Sequence, residues 1–263
     1  MYAVFVLLTL SYLGLVALAL VFCYAVSLPL CRRLDRWVTG VFARRLLQIF
    51  RTYFHFRFLA DPADRKKLPD RCLILANHQS LMDIPILMAH LDGARLRFVA
   101  KAELASHVPV VAPVLRSDGH CLIVRGGKSL HVMESIDRFA RRVQENGWLP
   151  VIFPEGTRSR DGRLGRFHAA GVRRFLDDAP MPVAVFAMDG GWQYADLNGI
   201  IRNLRNGFYK VKLVGIFPPP SGKQEQLRVL EEAERRIAAQ LDEWRKPQDE
   251  KKAVPDAGTA SVP

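Results

Sequence analysis

WLPVIFPEGTRS, residues 148–159, is the stretch of sequence that decides the fold class. The part from Trp148 to Phe153 is apolar with no polar alternation, which is typical of a strand buried on both faces of a sheet. It runs without a break into a turn that carries glycine and charged residues. Similar apolar runs alternate with helical patterns along the chain. We therefore predict an α/β fold with a mostly parallel sheet flanked by helices, preceded by an N-terminal membrane-associated helical segment.

The predicted elements follow one another at short intervals. The other strands are Cys72–Ala76, Leu96–Ala100, His120–Val124, Pro182–Ala187 and Lys210–Phe217. The helices between them are Ile84–Leu91, Ser129–Glu145 and His168–Asp177, and a last amphipathic helix buries Leu227, Leu230, Ile237, Leu241 and Trp244. We predict three parts: a membrane anchor with a basic amphipathic helix over residues 1–60, the α/β domain over 61–245, and a disordered polar tail over 246–263.

The first 60 residues divide into an apolar half and a basic half. Residues 1–31 contain no charged side chain, and about 20 apolar residues suffice to cross a bilayer. Residues 32–60 contain seven arginines against the single acid Asp35, which predicts the cytoplasmic side for this half (the inner membrane in a bacterium). A cleaved signal peptide fits poorly, because no positive charge precedes the apolar run. The pattern does not distinguish a spanning helix from a hairpin that enters one leaflet.

The basic half also carries an amphipathic pattern, in which Phe42, Leu46, Ile49, Phe50 and Tyr53 recur at helical spacing. Such a helix is suited to lie on anionic lipid with its apolar face inserted. An ordinary surface helix packed on the core of the domain has the same periodicity. Both interpretations remain open at this point.

The composition of the whole chain excludes several classes of protein. Lys and Arg number 38 against 26 Asp and Glu, which gives a net charge of +12, and 49% of the residues are hydrophobic. A disordered chain is excluded by that hydrophobic content, and a soluble protein with evenly spread charge by the N-terminal pattern. The basic charge is not accompanied by a nucleic-acid-binding motif, so we expect no nucleic-acid partner. The four cysteines form no pair that predicts a disulfide or a zinc site.

His78 and Asp83 are the first candidates for chemistry. His78 follows directly on the predicted strand ending at Ala76, at the position where α/β proteins place working residues. The two side chains can meet only if His78 lies in the turn and Asp83 in the first turn of the next helix. They would then form a general base oriented by a carboxylate. Alternatively, Asp83 only caps the helix and His78 is an ordinary turn residue.

Cations follow several other strands. Arg158 lies in the glycine-bearing turn after Phe153, Lys101 follows the strand at Leu96–Ala100, and Arg125 follows His120–Val124. Since the carboxyl ends of parallel strands meet at one edge, we expect these cations near His78. Arginine can bind phosphate through two parallel hydrogen bonds, and a glycine turn lets backbone N–H groups approach it. A solvated basic loop is the alternative.

Two blocks of the sequence carry a resemblance to a known family. Asn77-His78-Gln79-Ser80-x-x-Asp83 resembles the His-x4-Asp motif of the glycerolipid acyltransferases, and residues 153–159, FPEGTRS, resemble their third motif. The overall pattern is most similar to the PlsC-type 1-acylglycerol-3-phosphate acyltransferases, over roughly Leu59 to Phe217. Residues 121–125 and 181–185 resemble the second and fourth motifs more loosely. Leu81-Met82 departs from the residues that commonly precede the aspartate.

The resemblance implies an activity and a set of roles. A fatty acyl group would pass from an acyl thioester, acyl-CoA or acyl carrier protein, to the sn-2 hydroxyl of 1-acylglycerol 3-phosphate (lysophosphatidic acid), forming phosphatidic acid. His78 would be the general base and Asp83 its partner. The substrate phosphate would be bound by the cations Arg158, Lys101 and Arg125 together with the turn residues Glu155, Gly156 and Thr157. No metal and no cofactor beyond the acyl donor is implied, and the partners are membrane lipids and the two substrates.

Other functions are compatible with the same residues. The acceptor could be another lysophospholipid, another lyso-lipid or glycerol 3-phosphate. Water as the acceptor would make the protein a membrane-surface lipase or thioesterase, although no GxSxG nucleophile motif occurs. A membrane adaptor without catalytic activity would bind anionic lipid through the arginines between 32 and 57.

Overall fold

The computed structural model describes residues 43–103, 118–124 and 129–246 without breaks, together with Leu115 and a few isolated positions before residue 43. The predicted N-terminal anchor falls largely outside these residues, and the predicted tail from residue 247 falls outside them entirely. None of the helices in the described part of the chain is long and apolar enough to span a bilayer.

The described strands form one seven-stranded sheet in the order β1-β7-β6-β2-β5-β3-β4. Neighbouring strands are parallel, except β6 and β7, which are antiparallel. The carboxyl ends of β2 to β6 therefore lie at the same edge as the amino ends of β1 and β7, and we call this edge the rim. The strands are β1 Arg57–Leu59, β2 Leu73–Ala76, β3 Leu96–Lys101, β4 Cys121–Ile123, β5 Leu149–Ile152, β6 Val183–Asp189 and β7 Phe208–Phe217.

Helices cover both faces of the sheet. In the central strand β2, Ile74 and Ala76 face the layer that contains α1 and α3, whereas Leu73 and Leu75 face the layer of α4, α5 and α7. This two-sided burial is the physical reason why the strand sequences lack polar alternation. The helices are α1 Ala43–Phe54, α2 Asp64–Lys67, α3 Asp83–His90, α4 Ser129–Asn146, α5 Ala169–Asp178, α6 Leu197–Asn203 and α7 Gly222–Arg245, with a 3₁₀ turn at Gly191–Tyr194.

The predicted α/β fold with a mostly parallel sheet is confirmed. Each strand and helix predicted for the α/β domain is present with ends shifted by at most a few residues. Three strands or helices were not predicted, namely the short edge strand β1, the four-residue helix α2 and the helix α6, and neither was the 3₁₀ turn. The closing helix α7 packs against β6, β7 and α5.

Residues 43–60, which we assigned to the N-terminal segment, are packed on this domain. Ala43, Phe50 and Phe54 of α1 are buried in the same core as α3, and β1 pairs with β7. The structure thus shows α1 as a surface helix packed on the domain. The buried side of α1 is not available to enter lipid, and its exposed side carries Arg44, Arg45 and Arg51.

Candidate active site

The turn between β2 and α3 is fixed first by Asn77. Its side-chain amide donates to the carbonyl oxygen of Met188 at 2.8 Å and accepts from the Met188 N–H at 2.8 Å. Asn77 is buried, and Met188 lies on the neighbouring strand β6. The side chain therefore continues the pairing of β2 and β6 beyond the end of β2, and it sets where the chain turns away from the sheet.

His78 and Asp83 meet across this turn. The Nδ1 atom of His78 lies 2.6 Å from Oδ2 of Asp83, with His78 in the turn and Asp83 as the first residue of α3. The same Oδ2 accepts the backbone N–H groups of Gln79 at 2.7 Å and Ser80 at 3.1 Å. A carboxylate that accepts these donors also accepts from Nδ1, so the proton of the neutral imidazole lies on Nδ1. Nε2 is then free to take a proton from a substrate.

The other oxygen of Asp83 accepts a hydrogen bond from a tyrosine on a strand two positions away from β2. The hydroxyl of Tyr209, on β7, donates to Oδ1 of Asp83. Burial and the charge of Asp83 raise the pKa of Tyr209 well above its ordinary value, so this hydroxyl stays protonated. Both residues are completely buried. Asp83 thus has a donor on each oxygen, which fixes the plane of the carboxylate toward His78.

A second layer of contacts supports Gln79. Its amide oxygen accepts the N–H of Gly191 at 2.9 Å, and its amide nitrogen donates to Oδ1 of Asp189 at 3.3 Å. Arg245, the last residue of α7, binds Asp189 through two hydrogen bonds of 2.6 and 3.1 Å. A Cβ atom on Gly191 would lie 2.6 Å from the Tyr209 hydroxyl oxygen. Glycine is therefore required there by the close packing of the 3₁₀ turn against the tyrosine.

Glu155 connects the turn at His78 with the loop after β5. Its Oε1 accepts the N–H of His78 at 2.7 Å and its Oε2 accepts the N–H of Gly165 at 2.7 Å. Burial raises the pKa of Glu155 to about 7, against the opposing effect of the two backbone hydrogen bonds. A buried carboxylate with both oxygens occupied is not placed to bind a phosphate. In this structure Glu155 joins the turn at His78 to the loop after β5. We predicted it among the phosphate-binding residues.

The imidazole ring of His78 is held from one side by an aromatic residue. Phe153 stacks on it, with ring centres 4.2 Å apart and planes inclined by 13°. The backbone N–H of Ser159 donates to the carbonyl oxygen of His78 at 2.8 Å. His78 nevertheless retains 16% side-chain exposure. The His78 ring is therefore immobilised by its neighbours and still partly exposed.

Four of the other predicted phosphate-binding residues end or follow strands that end at the rim. Gly156, Thr157 and Arg158 are exposed in the loop after β5, whose Ser159 contacts His78. Gly156 has a φ of 64°, a conformation that favours glycine. Lys101 ends the adjacent strand β3 and is half-buried. Arg125 lies outside the described residues.

Comparison with known protein families identifies part of the α/β domain. Residues 63–189 match the family model described as acyltransferase. The matched segment is an acyltransferase family domain. The matched segment includes His78, Asp83 and Glu155, and it ends at Asp189. Tyr209 and Arg245 therefore lie beyond the matched part.

Individual relatives and a solved structure have a more specific name than the family model does. The 1-acyl-sn-glycerol-3-phosphate acyltransferase of Cocos nucifera is 35% identical over 120 residues, which are 46% of this chain and 38% of that protein. The enzyme of the same name from Helicobacter pylori (strain J99 / ATCC 700824) is 37% identical over 90 residues, 34% of this chain and 36% of that protein. The matches thus span little more than a third of these relatives.

The solved structure is similar over nearly the whole chain. The crystal structure of PlsC, the 1-acyl-sn-glycerophosphate (LPA) acyltransferase from Thermotoga maritima, aligns with a TM-score of 0.65. The alignment covers 92% of this chain and 93% of that one at 21% identity. This likeness shows the acyltransferase fold.

Several residues around the His78–Asp83 pair were not predicted from the sequence. Asp189 follows a buried strand, the same signal that pointed to His78, and could have been found by it. Tyr209 lies one residue before the predicted start of its strand, Lys210. Arg245 gave no local signal, since a basic residue at the end of a helix is common. Among the described residues, no group of three or more His, Cys, Asp or Glu side chains is arranged to hold a metal ion.

Proposed function

We propose that this acyltransferase transfers a fatty acyl group from acyl-CoA or acyl carrier protein to the sn-2 hydroxyl of 1-acylglycerol 3-phosphate, forming phosphatidic acid. The observation that carries the proposal is the immobilised His78–Asp83 pair, in which Nδ1 contacts the carboxylate and the His78 side chain remains 16% exposed. The names of the relatives support the choice of acceptor. The exposed cation Arg158 in the adjacent loop supports an acceptor that bears a phosphate.

In the proposed reaction, Nε2 of His78 removes the proton of the acceptor hydroxyl as that oxygen attacks the thioester carbonyl carbon. Asp83 stabilises the imidazolium that forms. The carbon–sulfur bond then breaks, and the departing thiolate takes the proton from the imidazolium. The ester product and the free thiol leave, and His78 returns to its initial state.

Direct transfer is favoured because the site offers no nucleophile of its own in the described residues. Ser80, the hydroxyl nearest to the pair in sequence, is completely buried, and its Oγ accepts the N–H of Met82 at 3.0 Å. The thiols of Cys72 and Cys121 are buried, and burial raises the pKa of each to about 12. Such thiols remain protonated and unreactive at neutral pH.

We further propose that the active site works at a membrane surface, with the domain on the cytoplasmic side. An acceptor with a long acyl chain resides in the bilayer, and the first 31 residues of the sequence are uncharged. Arg158, with Lys101 and Arg125, would hold the acceptor phosphate there. The roles of Arg158 and Lys101 follow from their positions along the rim, and the role of Arg125 follows from its position in the sequence.

The test is turnover by the purified full chain, followed by mass spectrometry of the products. The acceptors are 1-acylglycerol 3-phosphate, other lysophospholipids and glycerol 3-phosphate, each with acyl-CoA and with acyl carrier protein. We expect phosphatidic acid from the first acceptor at the highest kcat/KM. Free fatty acid as the main product in the presence of acceptor would instead indicate a thioesterase or lipase.

Replacement of the base gives the sharper test. His78→Ala should lower kcat by roughly 10²- to 10⁴-fold, the usual contribution of a general base. His131→Ala is the matched control, since His131 also pairs with an acid, Glu134, but is 71% exposed on α4. Near-normal turnover by folded His78→Ala protein would refute the mechanism. Arg158→Ala should chiefly raise KM for the phosphate-bearing acceptor, and an unchanged KM with a lower kcat would contradict its role.

A further inference from the structure

Two segments of this chain contain no acidic residue, and they meet in the structure. Residues 36–60 and 197–224 hold arginines and lysines but neither Asp nor Glu. They come together where β1 pairs with the start of β7, with Arg57 opposite Phe208. The Asn206 N–H donates to the carbonyl oxygen of Phe54 at 2.8 Å, and the Arg57 N–H donates to that of Gly207 at 2.9 Å. The meeting point is therefore well ordered by backbone bonds and carries positive charge without local compensation.

An open cavity of about 670 Å³ lies at this meeting point. Its polar lining consists of Arg51, His55, Arg57 and Asn206, which are all exposed. No side-chain hydrogen bond or ion pair joins Arg51, His55 or Arg57 to another part of the described chain. His55 and Asn206 have φ values of 52° and 57°, which are uncommon for residues other than glycine. The backbone is thus held in two unfavourable conformations around a group of cations that lack an anion.

The cavity lies at the rim but apart from the predicted phosphate-binding residues. β1 begins at the rim because β7 is antiparallel to β6, with Lys210 opposite Asp189. Three strand spacings separate β1 from β2 in the sheet, which is about 14 Å. Arg158 and Lys101 follow β5 and β3, on the other side of β2. A ligand in the cavity would therefore lie beside the active site without entering it.

An exposed apolar side chain lies beside the cations. Leu59, which lines the same cavity, is 48% exposed. Arginines beside exposed apolar side chains are suited to the boundary between lipid headgroups and acyl chains. A guanidinium group also binds a phosphate through two parallel hydrogen bonds. A soluble phosphate compound would use the arginines but would gain nothing from the apolar flank.

We propose that this cavity binds the phosphate of an anionic phospholipid of the bilayer and thereby docks the rim against the membrane. Docking thus occurs through the arginine side of α1 and the start of β1, while the apolar side of α1 stays in the core. The proposal does not depend on the reaction proposed above, because it concerns a lipid that is bound and not transformed.

The experiment follows hydrogen exchange of the full chain in mixed micelles of dodecyl maltoside. Phosphatidylglycerol is added from 0.3 to 30 mol%, and phosphatidylcholine serves as the zwitterionic comparison. The variant is Arg51→Gln with Arg57→Gln, and the matched control is Arg138→Gln with Arg141→Gln on the exposed side of α4. Circular dichroism confirms that each variant is folded.

We expect phosphatidylglycerol, and not phosphatidylcholine, to slow exchange in residues 51–59 and 204–209 of the wild type. Each arginine near an anionic surface contributes about a fivefold gain in affinity, so the double variant should need roughly 30-fold more phosphatidylglycerol for half-maximal protection. The control pair should behave as the wild type does.

Three results would overturn the proposal. They are an absence of protection by phosphatidylglycerol, equal protection by phosphatidylcholine, and equal weakening in the control pair. Millimolar inorganic phosphate is added in a separate arm without phospholipid. If it alone reproduces the full protection, the cavity binds free phosphate and the assignment to a lipid is wrong. Since the readout is exchange, failure here is distinct from failure of the proposed reaction, which is measured by turnover.

Discussion

Tyr209 offers the sharpest test of how the active site is built. Tyr209→Phe removes one oxygen atom and keeps the ring in a site that is completely buried. That oxygen is the donor to Oδ1 of Asp83. The donors His78 Nδ1, Gln79 N–H and Ser80 N–H all approach Oδ2. The substitution therefore leaves Oδ1 without a partner among the described residues.

The expected loss of stability follows from the missing hydrogen bond to Oδ1 of Asp83. A buried polar group that loses its hydrogen bond costs about 1–3 kcal/mol, with charged groups at the upper end. We expect the free energy of unfolding of Tyr209→Phe to fall by about 2 kcal/mol. If the loosened carboxylate orients His78 less well by the same amount, kcat falls roughly 10- to 100-fold with KM little changed.

Tyr194→Phe is the matched control. Tyr194 is equally buried, but its hydroxyl donates to the carbonyl oxygens of Asn203 and Phe208 at 3.4 Å each and does not touch the pair. It should lose about 1 kcal/mol of stability and keep the wild-type kcat. The assays are urea unfolding and steady-state kinetics of acyl transfer. Equal kinetic losses in both variants, or a Tyr209→Phe enzyme with wild-type kcat, would refute the reasoning.

Three other substitutions test the supports of the same turn. Gly191→Ala places a Cβ atom 2.6 Å from the Tyr209 hydroxyl oxygen, and we expect a loss of about 1–3 kcal/mol from overpacking together with a lower kcat. Arg245→Gln removes both hydrogen bonds to the buried Asp189, which should cost about 1–3 kcal/mol in urea unfolding. Burial raises the pKa of Glu155 from 4.5 to about 7. The folded state thus binds that proton more tightly than the unfolded chain does, and the stability from this group falls by about 3 kcal/mol as the pH rises from 4.5 to 7. Glu155→Gln should remove this pH dependence.

Each of these variants has a matched control in the chain. Gly171→Ala adds a Cβ atom at an ordinary 3.5 Å from Ile136, and it should leave kcat unchanged. Arg235→Gln breaks an exposed pair with Glu232 and should leave the unfolding transition unchanged. Glu225 accepts the exposed N–H of Ser221, so Glu225→Gln should retain the wild-type slope of stability against pH. Losses in the controls as large as in their partners would indicate a nonspecific effect.

The sequence predicts most of this fold because the central strands are buried on both faces. Apolar runs such as Trp148–Phe153 are typical of strands that two helical layers cover, and their ends were predicted nearly correctly. The edge strand β1 was not predicted because it is three residues long and exposes Arg57 and Leu59. The helix α6 did have a local signal. Asp196 precedes it and accepts the N–H of Gly199 at 2.7 Å, which is the pattern of an N-cap.

The candidate site is predictable only in its local part. His78 and Asp83 are close in sequence, so a turn followed by a helix was enough to bring them together. Tyr209 is 126 residues from Asp83, and Arg245 is 56 residues from Asp189. Contacts over such separations depend on the order of the strands. That order places β7 at two strand positions from β2, and no local pattern specifies it.

The turn that carries His78 makes few backbone hydrogen bonds of its own, so its shape depends on the elements around it. Asn77 ties it to β6, Tyr209 ties its aspartate to β7, and Glu155 ties the His78 N–H to the loop after β5. The two sequence blocks that resemble the family are therefore joined physically, by one buried carboxylate of the second block on a backbone N–H of the first. It follows that the imidazole of His78 can lose its position without any change to His78 or Asp83. Glu155 and Tyr209 hold the same His78–Asp83 pair from opposite sides of β2. Their substitutions should therefore be non-additive in kcat when combined.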